Sequence, residues 1–214
     1  MKYPNAQKGI SKIYLSELLN MLADIAIGIV LVILVMHYQS ATQDIRMEGA
    51  AVLLLVCSVA ATVLNFISLI MMVIGTVQTA KDQLSFRPVM ILTLVNIAVA
   101  TATAFFPVDT YLSNFGTVAG QLISLICSLL IILGISRMAT QLQNTAVNAK
   151  CAGMLKIVLG IGAVALLVRL FNIFMVSTAA QGVNISLAVF SLVLNVLQYI
   201  FYLPLLSSAK KMLA

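Results

Sequence analysis

The chain has 214 residues, 62% of them hydrophobic and only 8% charged. A soluble domain carries about 25% charged residues, so twelve Lys and Arg with six Asp and Glu exclude a water-facing globule, and the lipid bilayer becomes the expected surroundings. The net charge of +6 suggests nucleic acid at first sight, but the cations sit at the ends of apolar runs rather than on one face between aromatic platforms, which argues against that partner.

A hydrocarbon core about 30 Å thick needs roughly 20 apolar residues to cross it. Six runs meet that length, at 13–36, 50–75, 88–106, 117–137, 155–176 and 185–206. The expected fold is therefore all-α: one domain over 1–214, a polytopic bundle of six transmembrane helices joined by short connections.

The first run is too long for the apolar core of a signal peptide and contains two acids, so it is expected to remain as a helix. Glu17, Asn20 and Asp24 lie at i, i+3 and i+7, one stripe on one face, and Gly28 continues that face with room for a close neighbour. His37 closes the run and reads as an interfacial polar residue. The second run carries Ser58, Thr62 and Asn65, the third Thr93 and Asn96, and the fourth Gln121, Ser124 and Ser128. The fifth holds Arg169 and Asn172 with small residues at Gly153, Gly160 and Gly162, and the sixth Ser191, Asn195, Gln198 and Tyr202. Polar groups in lipid must find partners, so these stripes are expected to converge on one interior. Hydrogen bonds between helices, each worth about 0.6 kcal/mol, account for the amides and hydroxyls without any solute.

Lys and Arg near the helix ends set orientation. With the N-terminus cytoplasmic, Lys2, Lys8, Lys12, Lys81, Arg87, Arg137, Lys150, Lys156, Lys210 and Lys211 all fall inside and only Arg46 outside, while Asp44, Glu48 and Asp109 mark the outer loops. Both termini are thus expected in the cytoplasm, with the protein in the cell (plasma or inner) membrane. Tyr38, Phe105, Phe106 and Tyr111 suit the outer interface and Tyr14 the inner one. Gly75 and Ala80, Gly134 and Ala139, and Pro204 and Ala209 repeat one spacing at the ends of the even-numbered helices. Chance matching of apolar segments, which carry little information, explains that spacing, as would duplication of three helical hairpins.

Asp24 lies 12 residues beyond Lys12, and Arg169 lies 13 beyond Lys156. At 1.5 Å per residue both charges stand about 18–20 Å from those anchors, at nearly equal depth. A lone ion there costs from about 3 to more than 10 kcal/mol, and Arg can grip a carboxylate with two parallel hydrogen bonds. An Asp24–Arg169 ion pair is expected, serving either to fix helix register or to line a polar cavity where Arg169 meets an anionic group or Asp24 takes a proton or cation. Glu17, five residues past Lys12, reads as the weaker candidate because cytoplasmic water can reach it.

The residues expected to bind a solute are Asp24, Arg169, Asn20, Glu17, Asn172, Asn195 and Gln198. The expected function is handling of a small solute, as a carrier or as the membrane-embedded substrate-binding subunit of a transporter. The alternative is a non-transporting membrane partner for assembly, scaffolding, immunity or sensing, which would bind another membrane protein. No GxxxxGK[ST] loop is present to bind ATP. In size alone the chain resembles the vitamin-binding subunits of energy-coupling-factor transporters, and no motif supports more than that. HExxH and GxSxG are also missing, and the acids do not form a catalytic set, so an enzyme is not expected. Cys57, Cys127 and Cys151 show neither metal spacing nor a CxxC pair; no disulfide, metal or cofactor is expected, and the sequon at Asn184 reads as chance.

The pair predicts a charge-swap rescue. Asp24→Arg and Arg169→Asp singly reduce the amount of folded protein in the membrane, and the double variant restores it. A double variant that accumulates less than either single excludes the pair.

Overall fold

The computed structural model describes residues 3–39, 47–106, 111–175 and 181–214; side chains at 31, 33–39, 47–51, 111–113, 169, 172–175 and 181–188 lie outside the description. The readings of His37, Tyr38, Asp44, Arg46, Glu48, Asp109, Tyr111, Arg169, Asn172 and the Asn184 sequon fall on these undescribed positions.

The described residues form six α-helices and one 3-10 turn: α1 Pro4–Gln39, α2 Met47–Asp82, the turn Leu84–Phe86, α3 Arg87–Ala104, α4 Tyr111–Gln141, α5 Thr145–Met175 and α6 Gln181–Leu213. Each contains a stretch long and apolar enough to cross a membrane, with mean hydropathy from 1.6 to 2.5. Pro88 sits in the first turn of α3, where its missing N–H costs nothing.

Every helix packs against its neighbours in sequence, and α6 closes back on α1. The result is a ring of six. Outward faces are apolar, as on α2, where Leu55, Val59, Val63, Phe66 and Ile70 are all exposed.

The helices are longer than the apolar runs that announce them, chiefly at one end of the ring. There α1 begins at Pro4 rather than 13, α5 begins at Thr145 rather than 155, and α2, α4 and α6 run on to Asp82, Gln141 and Leu213. A helix of 36 residues is about 54 Å long, well beyond a hydrocarbon core. The extensions persist because they pack against one another. Ala6, Ile10, Ile13, Ala80, Phe86, Val89, Met138, Ala139, Cys151, Leu206, Ala209 and Leu213 form one buried cluster, which brings both ends of the described chain to the same end of the ring. The connections shrink accordingly: α4 and α5 are joined by residues 142–144, with Gln143 at φ 55° and Asn144 Oδ1 accepting the Val147 N–H at 3.0 Å as the α5 N-cap.

At the same end, Asp82 closes α2 and caps α1. Its carboxylate accepts the backbone N–H of Asn5 at 2.7 Å and of Ala6 at 2.8 Å, with the Asn5 amide at 2.8 Å. An acid is ill placed at the C-terminus of its own helix but well placed at the N-terminus of a neighbour. The described cations flanking this end, among them Lys8, Lys81, Arg87, Arg137, Lys150, Lys156, Lys210 and Lys211, are exposed.

α1 and α2 approach most closely where Gly9 meets Gly75. A Cβ on Gly9 would stand 2.5 Å from the Gly75 carbonyl oxygen and 2.7 Å from the Thr79 nitrogen; one on Gly75 would stand 2.9 Å from the Gly9 carbonyl. Backbone lies against backbone, as small residues permit in membranes. Gly153 and Gly160, expected as a packing face, have nothing within 4 Å, whereas Gly162 packs on Leu125 and Gly28 on Leu192. Of the repeated pairs, Ala80, Ala139 and Ala209 are all buried in the end cluster. Gly75 and Gly134 are buried too, but Pro204 is exposed, so the third pair does not reproduce the packing of the first two.

Gly9→Ala is expected to destabilise the purified protein by about 1–3 kcal/mol through overpacking. Gly160→Ala, into open space, is expected to be neutral or to stabilise by up to about 1 kcal/mol through helix propensity. Thermal unfolding in detergent reads both, and equal effects would remove the Gly9–Gly75 crossing from the account.

Candidate functional site

At the centre of the ring lies a cavity of about 460 Å³ to which all six helices contribute. α1 provides Ser16, Glu17, Asn20 and Asp24, and α2 provides Asn65, Ser68, Leu69 and Met72. Thr93 and Asn96 come from α3, and Gln121, Ser124, Cys127 and Ser128 from α4. α5 adds Gly162, Ala165 and Leu166, and α6 adds Asn195, Gln198 and Tyr199. Ile131 belongs both to the lining and to the packed end cluster, which makes that cluster the cavity floor.

Hydrogen bonds join neighbouring helices around the wall. Ser16 and Ser68 form a reciprocal pair between α1 and α2: each hydroxyl reaches the other's backbone carbonyl, at 2.9 and 3.0 Å, with the two hydroxyls 2.9 Å apart. Asn96 Nδ2 donates to Ser124 Oγ at 3.1 Å between α3 and α4. Between α6 and α1, Asn195 Nδ2 donates to Asp24 Oδ2 at 3.4 Å, and Tyr199 also donates to Asp24. Asn20 donates to Glu17 along α1.

Glu17 is 8% exposed and lines the cavity, while the side of α1 from which water was expected to reach it is packed. The first turns of α1, through Ala6, Ile10 and Ile13, are sealed into the end cluster, so Lys12 does not mark a water boundary. The charged side chains among the described lining residues are Glu17 and Asp24, with no described cation beside them.

Five of the seven expected site residues therefore meet in one cavity: Glu17, Asn20, Asp24, Asn195 and Gln198. Arg169 and Asn172 have side chains outside the described residues; their helix does reach the cavity, through Gly162, Ala165 and Leu166. On α2 only Asn65 of the expected stripe lines the wall. Ser58 and Thr62 are exposed, as Asn65 is, but lie outside the lining, and Thr62 donates to the Ser58 carbonyl at 2.8 Å, which satisfies its hydroxyl without a second helix. Ser191 is buried outside the lining, and Tyr202 lies in the end cluster.

Sequence reasoning missed Ser16, Ser68 and Tyr199. Each stands at helical spacing from a residue already on a stripe, at i−4 from Asn20, i+3 from Asn65 and i+4 from Asn195. Four buried polar atoms among the described residues have no hydrogen-bond partner: Gln121 Oε1 in the wall, the Tyr202 hydroxyl below it, and Gln78 Oε1 and Ser85 Oγ away from the lining. The three cysteines are free.

No family model matches the chain, and neither a curated protein nor a solved structure is similar to it.

The Ser16–Ser68 pair is expected to hold the α1–α2 wall. Ser16→Ala leaves Ser68 one bond and costs about 1 kcal/mol, and the Ser16→Ala, Ser68→Ala double variant costs less than the two single losses added. Strict additivity in thermal unfolding would show that the two hydroxyls act independently.

Proposed function

We propose that this protein handles a small solute within the cell membrane, as a carrier or as the membrane-embedded substrate-binding subunit of a transporter, with the central cavity as its site. The observation that carries the reading is a ring of six helices around a polar cavity of about 460 Å³. Ligand sites typically occupy about 300–1,000 Å³, and a bundle needing only adhesion between helices has no use for an open space of that size. The unpartnered Gln121 oxygen is a group that a solute or water can satisfy, since buried polar atoms are otherwise paired.

The proposed orientation puts the packed end, with both chain ends and the exposed cations, in the cytoplasm by the positive-inside rule. The solute then enters from the opposite side. Asp24 is proposed to pair with Arg169 across the wall. No catalytic role is proposed, because the described lining residues offer neither a nucleophile with a base nor a metal set.

A non-transporting accessory role has one supporting observation, the exposed Gly153 and Gly160 on α5 with nothing within 4 Å. Such a surface admits a helix of another membrane protein.

A solute screen on the protein in lipid nanodiscs separates the readings. A true ligand at 100 times its Kd stabilises by about 2.7 kcal/mol, and Ala100→Phe, which fills the cavity, abolishes that gain. If a broad screen shifts nothing while the protein co-purifies stoichiometrically with a membrane partner, the accessory reading replaces the solute one.

A further inference from the structure

Carboxylates in an apolar medium are expensive unless a positive charge or several donors compensate them. The two in this cavity are not equally provided for. Asp24 accepts from Asn195 and Tyr199 and has the depth to meet Arg169. Among the described residues, the hydrogen-bond partner of Glu17 is Asn20 of its own helix. It lines the cavity at 8% exposure, and a carboxylate has about four acceptor positions to fill.

The elements around Glu17 supply no described cation. On α2, the Ser68 hydroxyl is already engaged by Ser16, and on α3 the Thr93 hydroxyl turns back to the Val89 carbonyl at 2.8 Å. The titratable groups within electrostatic reach of Glu17 are Asp24 of α1, Cys127 of α4, and Tyr199 and Tyr202 of α6. None is a cation, and Asp24 adds a second negative charge. The Tyr202 hydroxyl, on a residue only 1% exposed, has no partner of its own.

We infer that the solute is a small organic cation, whose ammonium group rests on Glu17 near the cavity floor while its remaining polar groups meet the wall amides of Asn65, Asn96, Gln121 and Gln198. This rests on the solute-handling reading and adds a charge class to it. The juxtaposition that carries it is a nine-tenths-buried carboxylate without a described cation, opening into a cavity far larger than a metal ion needs. A bare inorganic ion would leave most of 460 Å³ to water, whereas an organic ammonium fills it and supplies the charge. Aromatic Tyr199 beside the carboxylates suits such a group, since ammonium ions are attracted to ring faces.

The test uses the whole protein in nanodiscs and a panel of small ammonium compounds, choline among them. Each is paired with its uncharged carbon isostere and with a carboxylate of the same shape. Ammonium members are expected to raise the unfolding temperature and their isosteres to leave it unchanged. Glu17→Gln keeps the shape and is expected to weaken ammonium binding by at least about 30-fold, the usual loss when one partner of a buried charge pair is removed. The ligand-free variant is expected to be no less stable than the parent, because an uncompensated buried charge has been deleted, so lost binding is not lost folding. Stabilisation by isosteres or carboxylates instead of ammonium ions, or ammonium binding that Glu17→Gln leaves intact, overturns the cation inference and spares the solute reading. A panel in which no charge class binds, extended to the broad screen with the same result, overturns both.

Discussion

Hydrocarbon offers a polar side chain nothing to bond with, and the architecture follows from that constraint. Each of the six helices carries an apolar face that lipid accepts and a few groups that it does not. Turning such groups inward on α1, α2, α3, α4 and α6, with Gly162, Ala165 and Leu166 completing the wall from α5, produces a ring with a polar centre rather than a solid bundle. Where the ring is closed by packing, at the end holding Ala6, Ile135 and Leu206, the interior is apolar and dry. Where Asn, Gln, Ser and the two acids face one another, it is open and polar.

The two regions depend on each other. α1 carries both acids of the cavity, and contacts below the cavity and in its wall fix its position. Asp82 caps its first turn, Gly9 and Gly75 let it lie against α2, and the Ser16–Ser68 pair locks the register at the residue before Glu17. A carboxyl group on a rigid support cannot swing away to water, so it is neutralised or compensated within the cavity. That is the physical basis for reading the centre as a site rather than a packing defect, since buried polar groups left unsatisfied in a dry core cost about 1–3 kcal/mol each.

Much of this was legible in the sequence, and the misses share a cause. The six helices and the stripes on α1, α3, α4 and α6 follow from hydropathy and the 3.6-residue period, which act within one segment. Depth along the helix does not. Ser58 and Thr62 share the face of Asn65 but lie toward the end where α2 is exposed, and Tyr202 shares the face of Gln198 but lies a turn into the packed end. The same blindness put Glu17 in reach of water from the Lys12 end of α1, which the end cluster closes. The sequence shows Lys12 nearby, while the sealing of α1 by Phe86, Ile131 and Leu206 depends on two other helices and the turn before α3. Gly153 and Gly160 look like a packing stripe in sequence and face open space, because small residues permit a neighbour without supplying one.

Thiol accessibility tests the central claim, that polar stripes enclose a wet interior while apolar faces meet lipid, most directly. With Cys57, Cys127 and Cys151 replaced by alanine, single cysteines are introduced at Asn65, Gln121 and Gln198 in the cavity wall and at Val59, Val193 and Ile200 on the outer faces, and proteoliposomes are treated with a small polar thiol reagent. Only thiolates react, and thiolates need water, so the account predicts labelling at the first three positions and none at the last three. Silent wall positions, or labelled outer ones, would contradict it.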